Sequence, residues 1–196
     1  EAIKSYKQAI EIDPDYADAH NNLGVAYWQS GKYKEAIKSY KQAIRIDPDH
    51  AKAHCGFGDV YYKSSKYKEA IESYKQSIRF DPDFAGAHIG LGDAYYKSSK
   101  YKEAIESYKQ AIRIDPDDAW THHNLGLAYG KSGKYKEAIE SYKQAIRIKP
   151  DDAKAHCKLS IAYLMLNDRG SALEQYKILK NLDTELANKL FNKIYK

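Results

Sequence analysis

Eleven residues, Lys66 to Gln76 (KYKEAIESYKQ), return unchanged at Lys100 to Gln110 and at Lys134 to Gln144, and with one substitution at Lys32 to Gln42. Each copy begins 34 residues after the last. A fixed period of that length means a stack of equal supersecondary units, each too small to bury its apolar face without a neighbour. Residues 51–84 and 85–118 agree at 27 of 34 positions, so the unit is copied nearly intact. Such a chain grows by adding units rather than around one central core, and all 196 residues are expected to form a single domain.

The phase of the repeat follows from its breakers. Glu1 to Ile12 aligns with Glu35 to Ile46, so a half unit, 1–16, opens the chain. Full units follow at 17–50, 51–84, 85–118 and 119–152, then a degenerate unit at 153–186 and a tail at 186–196. Within 17–50, Ser30-Gly31 divides the unit and Asp47-Pro48-Asp49 closes it. Proline stops a helix by removing a backbone donor, and Asp49 is expected to cap the next one. The spacing predicts helices over Ala17–Ser30 (helix A) and Tyr33–Ile46 (helix B).

At about 100° per residue, His20, Leu23, Gly24 and Tyr27 share one face of helix A, and Asp18, Asn21, Asn22, Val25, Trp28 and Gln29 share the other. Helix B turns Ala36, Ile37, Tyr40, Ala43 and Ile44 to one side and Lys34, Lys38, Lys41 and Arg45 to the opposite one. Small residues at Gly24 and Ala36 let the two axes approach, with Tyr27 and Tyr40 filling the space beside them. The expected fold is therefore all-α, a stack of helical hairpins.

A chain that is 43% hydrophobic and 30% charged, with both signs in every unit, has the composition of a folded protein. Its net charge of +5 permits acidic partners without requiring them. The stripe of Lys and Arg on helix B reads as a solvated face, and Glu72, Glu106 and Glu140 interrupt it, which argues against nucleic acid. Cys55 and Cys157 lie three units apart, too far for a disulfide in a stack. No apolar run approaches the roughly 18 residues of a membrane span, and the cytoplasm is the expected compartment. Because the chain begins at Glu1 partway through a unit, a longer parent protein is expected, with the tail as its natural end.

Histidine recurs at His20, His54, His88, His122 and His156, but successive helical layers stand about 10 Å apart, too far for shared metal ligation. Asp47, Asp49, Asp81, Asp83, Asp115 and Asp117 flank proline at each junction, the pattern of turns and caps rather than of a catalytic pair. No phosphate loop or nucleophile elbow is present, so neither catalysis nor a cofactor is expected.

The set His20, Leu23-Gly24, Tyr27, Ala36, Tyr40, Ala43 and Pro48 in a 34-residue unit resembles the tetratricopeptide repeat (TPR). It returns as Phe57-Gly58, Tyr61, Ala70, Tyr74, Pro82, as Leu91-Gly92, Tyr95, Ala104, Tyr108, Pro116, and as Leu125-Gly126, Tyr129, Ala138, Tyr142, Pro150. The last unit departs from it with Ser160 for Gly, Arg169 for the recurrent Tyr and Thr184 for Pro, as terminal units do. In the tail, Leu186, Leu190, Phe191 and Ile194 form one stripe suited to a capping helix.

The resemblance implies a right-handed α-solenoid whose A helices line a groove for an extended peptide or a partner helix. By position, the first full unit contributes Asp18, Asn21, Asn22, Trp28 and Gln29, and the next Lys52, Asp59, Tyr62 and Lys63. The following units contribute Asp93, Tyr96 and Lys97, then Trp120, His123, Asn124 and Lys131, then Lys154 and Lys158. Trp28, Tyr62 and Tyr96 recur at one position as an aromatic row. Asn124, Lys154 and Lys158 resemble part of a carboxylate clamp found in chaperone-docking TPR domains, but Ile89 and Asp93 break it. Gly56 and Gly90 likewise interrupt the asparagine ladder of another subfamily, which Asn22 and Asn124 match.

The expected function is a non-enzymatic scaffold docking a protein or peptide in that groove, with micromolar affinity, about −8 kcal/mol. Alternatives are self-assembly through the ends of the stack, with Ile3, Tyr6 and Ile10 of the opening helix exposed for weak homo-oligomerisation, or binding of nucleic acid or an acidic surface by the basic stripe.

Overall fold

A computed structural model describes residues 1–194. Among them lie twelve helices and no strand. They are α1 (Ala2–Ile12), α2 (Ala17–Gln29), α3 (Tyr33–Ile46), α4 (Ala51–Lys63), α5 (Tyr67–Phe80), α6 (Ala85–Lys97), α7 (Tyr101–Ile114), α8 (Ala119–Lys131), α9 (Tyr135–Ile148), α10 (Ala153–Met165), α11 (Arg169–Leu182) and α12 (Thr184–Ile194). The chain divides into two compact units, Glu1–Ser99 and Lys100–Lys196. In the first, the hairpins α2–α3 and α4–α5 stand between α1 and α6; in the second, α8–α9 and α10–α11 stand between α7 and α12. Tyr195 and Lys196, the end of the expected capping helix, lie outside the described residues.

The turn inside each hairpin is dictated by one backbone position. At the end of α2 the Gly31 N–H bonds Trp28 O (3.0 Å) and the Lys32 N–H bonds Tyr27 O (2.9 Å), the pairing that satisfies a helix's last carbonyls when one residue turns left-handed. Gly31 (φ 72°) and Gly133 (φ 78°) do this without steric cost, whereas Ser65 takes the same conformation at φ 58°.

Between hairpins, the Asp47 side chain accepts from the Asp49 N–H (3.1 Å), and Asp13 and Asp81 act likewise, so these carboxylates close the proline turn. The expected cap at Asp49 is corrected: the N-cap lies one residue further on, at His50, and its counterparts Asp118 and Asp152 cap α8 and α10. His50 Nδ1 accepts from the Ala53 N–H (3.3 Å), which leaves Nε2 as the donor to Asp18 Oδ1 (3.2 Å).

The recurrent histidines tie each helix A back to the turn before it. The Nε2–H groups of His20, His54, His88, His122 and His156 donate to the carbonyls of Pro14, Pro48, Pro82, Pro116 and Pro150 over 2.8–3.0 Å. A carbonyl can only accept, so Nε2 carries a proton at all these rings.

The core is a series of tyrosines seated on glycines. A Cβ on Gly24 would fall 2.6 Å from Tyr40 Cε1, and one on Gly56 2.5 Å from Tyr40 Cζ. Tyr74 is held the same way between Gly58 and Gly90, with the corresponding approaches at 2.7 and 2.5 Å. Tyr40 and Tyr74 are thereby 2% and 1% exposed, each ring reaching from its own unit to the next. In the degenerate unit Ser160 takes the glycine position and its Oγ donates to Ala172 O (2.9 Å); Tyr176 is only half-buried there and faces Phe191 instead. Helix α12 then covers the last hairpin with Ala187, Leu190 and Ile194, all 2% exposed or less.

Candidate functional site: the outer face of the A helices

Within the first unit α4 touches α2 on one side and α6 on the other, so the A helices form one layer; in the second unit α10 likewise contacts α8 and α12. The repeat fixes which side of each A helix packs on the B layer, and the remaining face carries the residues that differ between units.

In the first unit Asp18, Gln29, Lys52, Lys63 and Lys97 are exposed, and Asn22, Asp59, Asp93 and Tyr96 are half-buried. Asn21 is 4% exposed, a floor residue whose amide donates to Asn22 Oδ1 (3.2 Å). The aromatic row is less free than its sequence suggests. Trp28 packs on the Ala36, Tyr40, Val60 cluster and Tyr62 on the Ile71, Tyr74, Leu91 cluster, the Tyr62 ring lying 5.7 Å from that of Tyr67. Burial, with Asp93 and Tyr67 adding to it, pushes the Tyr62 phenol up to about 12.

Asp59 and Asp93 stand where Val25, Leu127 and Ile161 stand in the other A helices. The Tyr74 hydroxyl donates to Asp59 Oδ1 (2.7 Å). Burial raises the Asp59 carboxyl above the usual range and Asp93 adds to this, against the Tyr74 hydrogen bond and Lys63. A carboxyl raised on folding contributes stability that is fully present below its unfolded value, about 3.9, and is lost as the pH rises through the folded one. Asp59→Asn keeps an acceptor for Tyr74 and removes the charge, so its melting temperature relative to the parent is expected to be highest at neutral pH and to fall towards pH 4. A difference that stays flat or widens on acidification would contradict this.

In the second unit Trp120 is 58% exposed, with His123 stacked against it (centroids 6.1 Å, planes 8° apart) and edge-on to Tyr142. His123 and Asn124 are each 6% exposed, so they too form floor rather than rim. His123 Nδ1 is buried without a partner. Burial holds the imidazole below its ordinary range; Lys158 and Lys154 push the same way and Asp152 opposes them. Lys131, Lys154 and Lys158 are exposed.

On the B helices the expected basic stripe is partly neutralised by its own interruptions: Lys75, Lys109 and Lys143 pair with Glu72, Glu106 and Glu140 at 3.4, 3.4 and 3.0 Å. Ile3, Tyr6 and Ile10 are half-buried, and α1 has no buried residue, whereas in α3 the equivalents of Tyr6 and Ala9, Tyr40 and Ala43, are 2% and 0% exposed. Ile10 also lines a cleft of about 580 Å3 between α1 and α3, floored by Leu23 and Tyr27. One repeat on, between α3 and α5, Phe57 replaces Leu23 and the cleft shrinks to about 310 Å3. Periodicity assigns those positions to packing and gives no sign of the cleft. No helix among the described residues is long and apolar enough to cross a membrane.

The hairpin stack is that of an α-solenoid repeat protein. A family model described as TPR repeat matches residues 1–31, 27–65, 58–99, 92–133 and 131–167. The chain belongs to the TPR repeat family.

Among solved structures it is similar to YrrB, a TPR protein with an unusual peptide-binding site, at 22% identity and a TM-score of 0.82, over 97% of this chain and 100% of that one. It is also similar to MamA (28% identity, TM-score 0.78, 85% of this chain and 97% of that one). A further similar structure is pilF of Pseudomonas aeruginosa (23% identity, TM-score 0.76, 85% of this chain and 76% of that one). No curated protein matches the chain significantly.

Proposed function

We propose that the protein is a non-enzymatic scaffold that holds an extended segment of a partner protein on the outer face of its A helices. The observation carrying this reading is that variation between units gathers on that face while the packing positions repeat. There Trp120 is 58% exposed and stacked on His123, whose charge environment Lys154 and Lys158 shape. An exposed aromatic ringed by polar groups is the usual anchor of an interface. The peptide-binding site of the similar structure YrrB is consistent with it.

Peptides selected against the protein from a random displayed library test the reading. Lys63→Glu with Lys97→Glu in the first unit, or Trp120→Ala in the second, is expected to weaken the selected peptides about tenfold, roughly 1.4 kcal/mol, with the helical circular dichroism spectrum retained. Selected peptides that bind both variants as well as the parent would move the function to another surface.

A further inference from the structure

The position that carries Trp28, Tyr62 and Tyr96 in the first three A helices carries Gly130 in α8. The backbone there is unchanged: the residues closing α4 and α8, Ser64 and Ser132, have φ, ψ of −85°, 9° and −87°, 4°. A shift of two 34-residue units carries Tyr62, Tyr67 and Asp93 onto Gly130, Tyr135 and Ile161. In the first unit the Tyr62 ring fills the space beside Tyr67 and packs on the core. At Gly130 no ring is supplied, and a Cβ built there would meet nothing within 4 Å. The second unit thus has an open slot where the first has a side chain. Its wall differs as well, because Ile161 stands where Asp93 does, so the slot suits a flat apolar group.

The same helix supplies polar anchors at a defined distance. His123 and Gly130 are seven residues apart and share a face of α8. At 1.5 Å of rise per residue they stand about 10 Å apart, which an extended peptide spans in about three residues. His123 is 6% exposed and its Nδ1 has no partner. Lys154 and Lys158 are near enough to bias its protonation. Lys131 directly follows Gly130. The cations outnumber Asp152, the carboxylate that faces the imidazole.

We propose that the outer face of α8 and α10 binds an extended partner segment carrying an aromatic residue and, about three positions away, an acidic one. The aromatic ring enters the slot over Gly130, between Tyr135 and Ile161, and the carboxylate lies by the exposed Lys154 and Lys158, above the buried His123. The partner supplies the ring that the chain itself supplies in the first three A helices. This rests on the A-helix face being the partner-binding surface, and names the second unit's ligand.

Blocked tetrapeptides Glu-Ala-Ala-Phe and Phe-Ala-Ala-Glu serve as probes for the two chain directions, with Ala for Phe and Lys for Glu as controls. At millimolar concentration one of the Phe peptides is expected to shift the amide resonances of Gly130, Tyr135 and Ile161 in the full chain, and each control to bind about tenfold more weakly. Gly130→Tyr, which fills the slot with the chain's own ring, is expected to abolish these shifts without lowering the melting temperature. No shift at Gly130, controls that bind equally, or undiminished binding to Gly130→Tyr would overturn the proposal; the first two are read on the unaltered protein. Library peptides still lost with Lys63→Glu and Lys97→Glu would then leave the broader reading standing.

Discussion

Gly56→Val is expected to cost about 3 kcal/mol and to lower the melting temperature by roughly 6–12 °C. The reason is geometric. The first added carbon already meets Tyr40 Cζ at 2.5 Å, and Tyr40 is 2% exposed with Gly24 against its other side, so the ring has nowhere to retreat. Gly130→Ala is the matched comparison, since its Cβ meets nothing within 4 Å. There helix propensity alone operates, and a gain of up to about 1 kcal/mol is expected. Thermal melts of the two variants should move in opposite directions. A Gly56→Val melt within a degree of the parent would show that Tyr40 is not clamped as described.

Leu190→Ala carries the other large effect, about 3 kcal/mol, because Leu190 is 1% exposed and sits with Ala187 and Ile194 on Leu179 and Cys157. In a stack each unit answers mainly to its neighbours, so the loss should be local. Hydrogen exchange is expected to accelerate through α11 and α12 while α8 and α9 keep their protection. Uniform acceleration across the chain would mean instead that α12 is part of one indivisible cooperative unit.

The fold is legible because the 34-residue copies repeat their own context: the spacing puts helix B at Tyr33–Ile46, where it is found, and misses the end of helix A by one residue at Ser30. The cap at Asp49 misled because aspartate serves both caps and proline turns, and which it does depends on a one-residue offset invisible to composition. The period sets the histidines too far apart to share a metal but gives them no task; their bond to the carbonyl six residues back requires knowing that the turn folds under the helix. Gly56 and Gly90 read as gaps in an asparagine ladder, and only the position of the tyrosine rings explains them. Burial of Asn21, His123 and Asn124 was also hidden, because helical periodicity names a direction but not how deeply the neighbouring A helix covers it.

The seating of Tyr40 on both Gly24 and Gly56 makes every joint in this part of the chain a matter of matching ends. Here a unit presents a tyrosine at its trailing edge and the next meets it with a glycine at its leading edge, where the other units carry Asn22, Asn124 and Lys158. Residues 51–84 end in such a tyrosine and begin with such a glycine, Gly56, and the unit after them begins with another, Gly90. Excising that block would seat Tyr40 on Gly90, and inserting a second copy would seat Tyr74 on a duplicate of Gly56, so neither operation creates a contact of a kind the chain does not already contain. The length of the stack is therefore a discrete variable, adjustable in steps of 34 residues at these joints.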